Sequence, residues 1–423
     1  MTTDFPILRF GETQAVTLDE LDSDIFGLRQ RVPRASSVVV AADHAVIVAA
    51  AFAALDGWAS TVELRGTYLV GGKTGGAVTL DDRTIFEALR GAKRPTNKQT
   101  HFARNAIQTT WVLFSSGTTG KPTKTGHTMS SLGAMIHRSN EGGSASAPRR
   151  WGLLYPPTRM AGVQVILQSI IGRETLVDVT HLRGIRARIQ ALVAAEVNSL
   201  SATPTLWRQI LQVPDFSNLR LRQITLGGEI VPQALLDALA SRFGARVTNV
   251  YASTEAGVVL SVSDGREGFP SGWLRERPEP TLQVRGGVLY VYAPASSAAG
   301  VDGFVCTDDM VRVVGERVHF LGRASGLVNV GGEKVSAEEV ETMIRCHPSV
   351  IDAVVFPRRN PFSGEILVAQ VVIDPATSPE ERDSLAATLR EWVAERLTRA
   401  HVPAHIRIVD HLDTSETGKV MRS

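Results

Sequence analysis

The chain has 423 residues, longer than one hydrophobic core usually organises, so more than one domain is expected. Its 45 basic and 43 acidic residues leave a net charge of +2, which argues against a dedicated nucleic-acid binder, and 43% hydrophobic with 21% charged residues is ordinary globular composition. The 2 cysteines, Cys306 and Cys346, exclude a disulfide framework and supply no pair at metal-ligand spacing.

The N-terminus, MTTDFPILRF, places an acid early and lacks a basic segment followed by a long apolar run, so no signal peptide is expected. The most apolar stretch, residues 37–55, contains Asp43 and His44. It is too short and interrupted for a membrane span and predicts a buried strand followed by a core helix, in a protein of the cytoplasm. Short apolar or β-branched runs follow at 38–41, 109–114, 150–155, 175–178, 199–202, 223–226 and 246–251, with helical spacing at 181–194 and 232–243. Such alternation predicts an α/β fold of mainly parallel sheets covered by helices. The segment 140–148, rich in Gly, Ser and Ala, predicts a flexible loop.

From residue 282 the pattern changes. Close-spaced strands at 283–284, 288–292, 310–314 and 317–321, joined by Gly-containing turns, predict a small antiparallel section. Amphipathic helices at 336–345 and 380–397 flank strands at 351–356 and 365–373, a compact unit of about a hundred residues. The expected division is a large N-terminal domain over 1–323, a hinge over 324–326, and a small mobile α+β C-terminal domain over 327–423.

The strongest chemical signal is an apolar strand running into Ser115, Ser116, Gly117, Thr118, Thr119, Gly120 and Lys121. Glycines let backbone N–H groups approach an anion, hydroxyls add donors, and lysine supplies charge. The loop is therefore a candidate cradle for nucleotide phosphates. It is not a Walker loop, because Pro122 follows Gly120-Lys121 where Ser or Thr is required. Taken by itself it also reads as a polar strand-to-helix turn.

Further motifs follow in order: Gly227-Gly228-Glu229, Tyr251-Ala252-Ser253-Thr254-Glu255, Thr307-Asp308-Asp309, Gly322-Arg323 with Gly331-Gly332, and Thr417-Gly418-Lys419. With residues 115–122 this series resembles the adenylate-forming superfamily of acyl- and aryl-CoA synthetases, nonribosomal peptide synthetase adenylation domains and luciferases. The resemblance spans 115–422, and the phosphate loop arrives earlier than is usual for the family, as though the N-terminal part were shortened.

The resemblance implies ATP and Mg²⁺ as cofactors and a small carboxylic acid as substrate. Coenzyme A is the implied acceptor, with a carrier-protein thiol or an amine as rivals, and a monomer or homodimer is expected. It assigns Thr254 to the α-phosphate, Glu255 to Mg²⁺, and Lys419 to charge developing during adenylation. Tyr251, with Gly228 and Glu229, would flank the adenine, Asp309 would accept from the ribose hydroxyls, and Arg323 would lie near ribose and phosphates. Gly331 and Gly332 would admit the thiol, and Ser325 lies at the hinge. Read singly, Asp309 is also a turn residue, Glu255 an acid at a helix start and Lys419 a solvated tail lysine.

Candidates for the acid pocket are Arg159, Met160, Gly162, Ser201, Thr203, Gly227 and Ser253. Arg159 stands where the family carries a histidine, and its guanidinium suits an anionic or polar substrate group; the alternative is a surface arginine. Departures from the family pattern are Thr123 displacing the expected lysine to Lys124, Ser325-Gly326 in place of hinge acids, and Asp413 where proline is usual. A non-catalytic nucleotide- or acid-binding protein of the same fold is the alternative from another class. A P-loop phosphotransferase fails on the missing Walker pattern.

Overall fold

Residues 6–9, 15–17, 28–67, 77–85, 107–115, 123–133, 136, 148–253, 257–276, 281–293, 299–360 and 364–414 are those described by the structure, a computed structural model. The strand Ser37–Ala41 is buried at every position after Ser37, the pattern of a strand covered on both faces. It lies in a five-stranded sheet ordered Val78–Asp81, Ser37–Ala41, Thr61–Arg65, Thr110–Ser115, Thr123–His127. The strands run parallel as far as Thr110–Ser115, along which Thr123–His127 returns antiparallel.

The helix Ala45–Leu55 is apolar on all sides and buried at every residue but Ala53, as a helix enclosed between layers must be. It packs against the helix Met160–Gly172. Its own N-cap residue, His44, forms no side-chain cap. Instead Ala45 N–H donates to Asp178 Oδ2 at 3.0 Å, a carboxylate of the neighbouring sheet whose other oxygen accepts from Thr180. An acid at the positive end of a buried helix thereby fastens the two sheets together.

That neighbouring sheet has eight strands, ordered Gly257–Val262, Arg246–Ser253, Gln223–Gly227, Ser199–Ala202, Arg150–Leu153, Thr175–Asp178, Pro6–Arg9, Ala15–Thr17. It is parallel except at its two edges. One face shares an apolar cluster with the first sheet, and the helices Ile185–Ala194, Pro204–Gln212 and Gln233–Phe243 pack on the other. The helix expected from 181 starts later, because Gly184 at φ 81° occupies its N-cap. The chain steps from Arg150–Leu153 to Thr175–Asp178 on one side, then crosses to Ser199–Ala202 on the other. Open α/β sheets bind ligands at such a switch point, outside the C-terminal ends of the flanking strands. Residues 155–162 leave one of those ends and Thr203 the other.

The third sheet is antiparallel, ordered Phe269–Pro270, Arg317–Arg323, Phe304–Val314, Val288–Tyr292, Leu282–Arg285. Its strand expected from 310 begins earlier, at Phe304, and carries Thr307-Asp308-Asp309 in its middle. Asp308 adopts a left-handed φ of 63°, and the register shifts after Met310. A short 3₁₀ turn, Ala324–Gly326, leads on to the fourth sheet, ordered Glu333–Ser336, Leu327–Val330, Gly364–Ile373, Val350–Asn360, with His405–Ile408 paired to Gly364–Ile373. The helices Ala337–Arg345 and Pro379–Ala394 cover it. Each starts with a serine cap: Ser336 Oγ accepts Glu339 N–H and Ser378 Oγ accepts Glu381 N–H, both at 3.2 Å. No helix among the described residues is long and apolar enough to cross a membrane.

Candidate active site

The strands Thr110–Ser115 and Thr123–His127 pair with Ser115 opposite Thr123, so the Ser/Thr/Gly segment joins two antiparallel strands, not a strand and a helix. Ser116, Gly117, Thr118, Thr119, Gly120 and Lys121 lie outside the described residues. The displaced lysine has a partner of its own. Lys124 Nζ donates to Glu63 Oε1 at 2.7 Å and stands 5.6 Å from the Phe114 ring. Burial pushes the Glu63 carboxyl up, but hydrogen bonds from Lys124 and Arg65 outweigh it and hold the group below its ordinary value.

Gly227, at the end of its strand, is registered with Val250. A Cβ there would come within 2.8 Å of the Val250 carbonyl oxygen, so only glycine lets the backbones run this close. Glu229 turns aside, its Oε2 accepting Thr205 N–H at 2.9 Å. One residue beyond Val250, the Tyr251 ring stacks on Phe320 of the third sheet, 4.8 Å between centroids and 26° between planes. The Tyr251 hydroxyl donates to Asp309 Oδ2. Asp309 lies 3.5 Å from Arg323 Nε, its register partner on the next strand.

Burial and then the Asp309 carboxylate push the Tyr251 phenol far above its ordinary value, so it stays a donor. An aromatic face, a carboxylate and a guanidinium thus meet at the seam of the second and third sheets. These are groups that can flank a planar base, accept from sugar hydroxyls and meet phosphate charge. Thr254 and Glu255 lie outside the described residues, as does the side chain of Ser253.

At the switch point, Tyr155 and Ser201 share a hydrogen bond, and burial pushes the Tyr155 phenol above its ordinary value. Tyr155 was not among the sequence candidates, because a tyrosine ending an apolar strand-like run reads as core. Thr203 Oγ1 caps the helix Pro204–Gln212, accepting Leu206 N–H at 3.1 Å. Arg159 occupies the N-cap of Met160–Gly172, and its Nη1 donates to the Phe114 carbonyl at 3.1 Å, tying this loop to the strand that enters the phosphate loop. Met160 Sδ lies 3.9 Å from Gln164 Nε2.

A Cβ on Gly162 would sit 2.1 Å from the Pro156 carbonyl oxygen. Gly162→Ala must therefore displace the backbone before Pro157, an overpacking cost of about 1–3 kcal/mol. The expected result is a lower urea midpoint, and a wild-type midpoint would contradict it.

A charge network also escaped the sequence. Arg208 Nη1 reaches Asp352 Oδ1 of the fourth sheet at 3.1 Å, and both side chains are buried. Arg345 Nε donates to the same oxygen at 2.8 Å and its Nη2 lies 3.5 Å from Glu341 Oε2, while Glu341 Oε1 accepts Val355 N–H at 3.0 Å. Burial and then the Arg345 charge lower the Arg208 pKa, whereas Asp352 and Glu341 raise that of Arg345 despite its burial. Glu229 acts on both arginines. The network therefore runs from the Gly227-Gly228-Glu229 segment into the fourth sheet.

Gly331 and Gly332 form the two-residue loop of a hairpin, Val330 pairing with Glu333. Their φ values of 60° and 94° favour glycine, while the space around both is open. Ser325 lies within the 3₁₀ turn, and Lys419 lies outside the described residues. Among the described residues, no group of three or more His, Cys, Asp or Glu is arranged to hold a metal.

Residues 34–285 match the family described as AMP-binding enzyme, and residues 339–419 match the AMP-binding enzyme C-terminal domain. The Rattus norvegicus protein "Acyl-coenzyme A synthetase ACSM2, mitochondrial" is 24% identical over 349 residues, covering 74% of this chain and 60% of that protein. The Mycobacterium tuberculosis protein "Probable 2-succinylbenzoate--CoA ligase" is 28% identical over 349 residues, covering 74% of this chain and 82% of that one. The chain thus spans 60% of the length of the first of these relatives. Among solved structures, ATP-bound MatB from Rhodopseudomonas palustris shares the fold with a TM-score of 0.74 at 18% identity, covering 99% of this chain and 95% of that one. The anthranilate CoA ligase AuaEII in complex with anthranoyl-AMP does so with a TM-score of 0.77 at 16% identity, covering 99% and 92%.

Proposed function

The chain belongs to the family of AMP-binding enzymes, and from that premise we propose that it uses ATP to activate a small carboxylic acid as its adenylate and then forms a thioester with coenzyme A. The observation that carries this reading is the Tyr251–Asp309–Arg323 cluster beside Gly227-Gly228, at the seam of the second and third sheets. Tyr251 would flank the adenine, Asp309 accept from the ribose hydroxyls, and Arg323 face the phosphates. The names of the similar proteins, an acyl-coenzyme A synthetase and a CoA ligase, support the thioester step.

In the first half-reaction a carboxylate oxygen bonds to the α-phosphorus and pyrophosphate leaves. In the second a thiolate bonds to the acyl carbon and AMP leaves. Both partners of the first step are anions, so positioning and charge neutralisation govern its rate. Mg²⁺, when bound with the nucleotide, neutralises phosphate charge, and Glu255 is the residue assigned to it. The Ser115–Lys121 segment would hold the leaving phosphates, Thr254 the α-phosphate, and Lys419, on a lid formed by residues 327–423, the developing charge. The Gly331-Gly332 turn would line the path of the thiol.

The acid would enter at the switch point, among Ser201, Thr203, Gly162 and the neighbouring Tyr155. Small and polar walls there favour a short or aromatic acid over a long acyl chain. Arg159, whose Nη1 donates to the Phe114 carbonyl beside this region, carries a guanidinium that suits a second anionic or polar group on the acid. Arg159→Ala should raise KM for that acid about tenfold or more, the worth of a hydrogen bond to a charged group, with KM for ATP unchanged. An unchanged acid KM would remove Arg159 from the acid site.

A panel of carboxylic acids, screened for pyrophosphate release with Mg²⁺-ATP in the presence and absence of coenzyme A, tests the proposal. Release that requires an acid supports adenylation, and a further dependence on coenzyme A assigns the acceptor. Turnover only with a carrier-protein thiol or an amine would replace coenzyme A. No release with any acid would favour a binding protein of the same fold.

A further inference from the structure

Asp308 stands in the left-handed region at φ 63°, where side chains are disfavoured and asparagine and aspartate are the best tolerated. An outlier of this kind persists only where the surroundings hold it in place. Its side chain shows what does so. Asp308 Oδ2 accepts the Ser325 backbone N–H at 3.1 Å and the Ser325 hydroxyl as well. Ser325 is the middle residue of Ala324–Gly326, the 3₁₀ turn through which the chain passes from the third sheet to the fourth.

The neighbouring residues fasten the same crossing. Asp309 lies 3.5 Å from Arg323, immediately before the turn. Ser336 Oγ, on the far side, donates to the Leu321 carbonyl at 2.6 Å. A Cβ on Gly322 would meet Ser336 Oγ at 2.6 Å, and one on Gly326 would lie 3.7 Å from the Glu338 carboxylate, so the turn is closely surrounded.

We propose that Asp308 is a positioning residue: its carboxylate pins the turn at Ser325 and links the setting of the fourth sheet to Asp309, the adjacent residue of the nucleotide cluster. Consecutive acids thereby hold the start and the middle of one crossing, Asp309 through Arg323 and Asp308 through Ser325. The effect on catalysis rests on the adenylation reading above, whereas the pinning itself does not.

Arg323 places a trypsin site at the turn, and cleavage of the folded protein there reports how often the turn opens. Asp308→Gly removes the carboxylate and the backbone conflict together. The expected result is about three- to tenfold faster cleavage between Arg323 and Ala324, mapped by mass spectrometry, with an unchanged or raised melting temperature. Asp308→Asn should fall between the two. Ser325→Ala should accelerate cleavage less, and add nothing in the Asp308→Gly background.

If Asp308→Gly fails to fold, Ser325→Ala decides by itself, because it leaves residue 308 untouched. Cleavage at the wild-type rate in the folded variant overturns the proposal. In an active protein, Asp308→Gly should also change the ratio of acid-dependent pyrophosphate release to thioester formation. An inactive wild type would undermine the adenylation reading while leaving the cleavage result to stand.

Discussion

Asp352→Ala is expected to lower stability by about 3–5 kcal/mol, the usual cost of removing one partner from a buried ion pair. The Asp352 carboxylate oxygen is shared by Arg208 and Arg345 and also accepts Ala353 N–H at 2.8 Å. Its loss leaves two largely buried guanidinium groups facing each other with Glu341 and Glu229 as the nearby acids. Arg208 belongs to a helix on the second sheet and Asp352 to a strand of the fourth. The damage should therefore fall on the coupling between them, and a single urea transition should move to lower denaturant and split. Asp352→Asn keeps the shape and one acceptor and should lose less. A wild-type transition for the alanine variant would show that the pair contributes nothing to holding the fourth sheet in place.

Asp309→Ala should raise KM for ATP about ten- to a hundredfold while leaving KM for the acid within about twofold. Two effects add. On the proposed reading the nucleotide loses a charged acceptor, and the Tyr251 hydroxyl loses its Asp309 partner in a site where burial already disfavours the phenolate. Asp309→Asn keeps an acceptor but not the charge opposite Arg323, so it should lie between the two. The check is an ATP titration of acid-dependent pyrophosphate release. An unchanged KM for ATP would remove Asp309 from the nucleotide site.

Much of the fold was legible because local chemistry and long-range structure agree in parallel sheets. Ser37–Ala41 is a β-branched run buried on both faces, and the enclosed helix after it is visible as an alanine-rich apolar stretch. The amphipathic helices expected from 336 and 380 start within one residue of those places, at Ala337 and Pro379, each behind a serine cap. The returning strand Thr123–His127 was missed: TKTGH has no alternating apolar face, and it is held by its register with Thr110–Ser115. The early half of Phe304–Val314 was missed for a similar reason, since the paired acids and the left-handed Asp308 interrupt the strand pattern.

At the site, the family resemblance implied Tyr251, Asp309 and Arg323, which the fold brings together from separate sheets and strands. Arg208 and Asp352 could not have been found this way. They are 144 residues apart, and a pair of charges that meet only through tertiary packing leaves no periodic trace in the chain. Glu229 was read as an adenine neighbour, and its carboxylate is seen holding the N-terminal turn of the helix at Thr205, a role that only the folded chain reveals.

The most direct test of carboxylate activation follows an isotope. The acid that performs best in the panel is labelled with heavy oxygen in its carboxylate, and AMP is isolated after turnover with Mg²⁺-ATP and coenzyme A. One labelled oxygen in AMP is the predicted result, because the carboxylate oxygen that bonds to the α-phosphorus stays with it when the thiol takes the acyl group. Unlabelled AMP, or label in orthophosphate released together with ADP, would contradict adenylation and place the attack elsewhere.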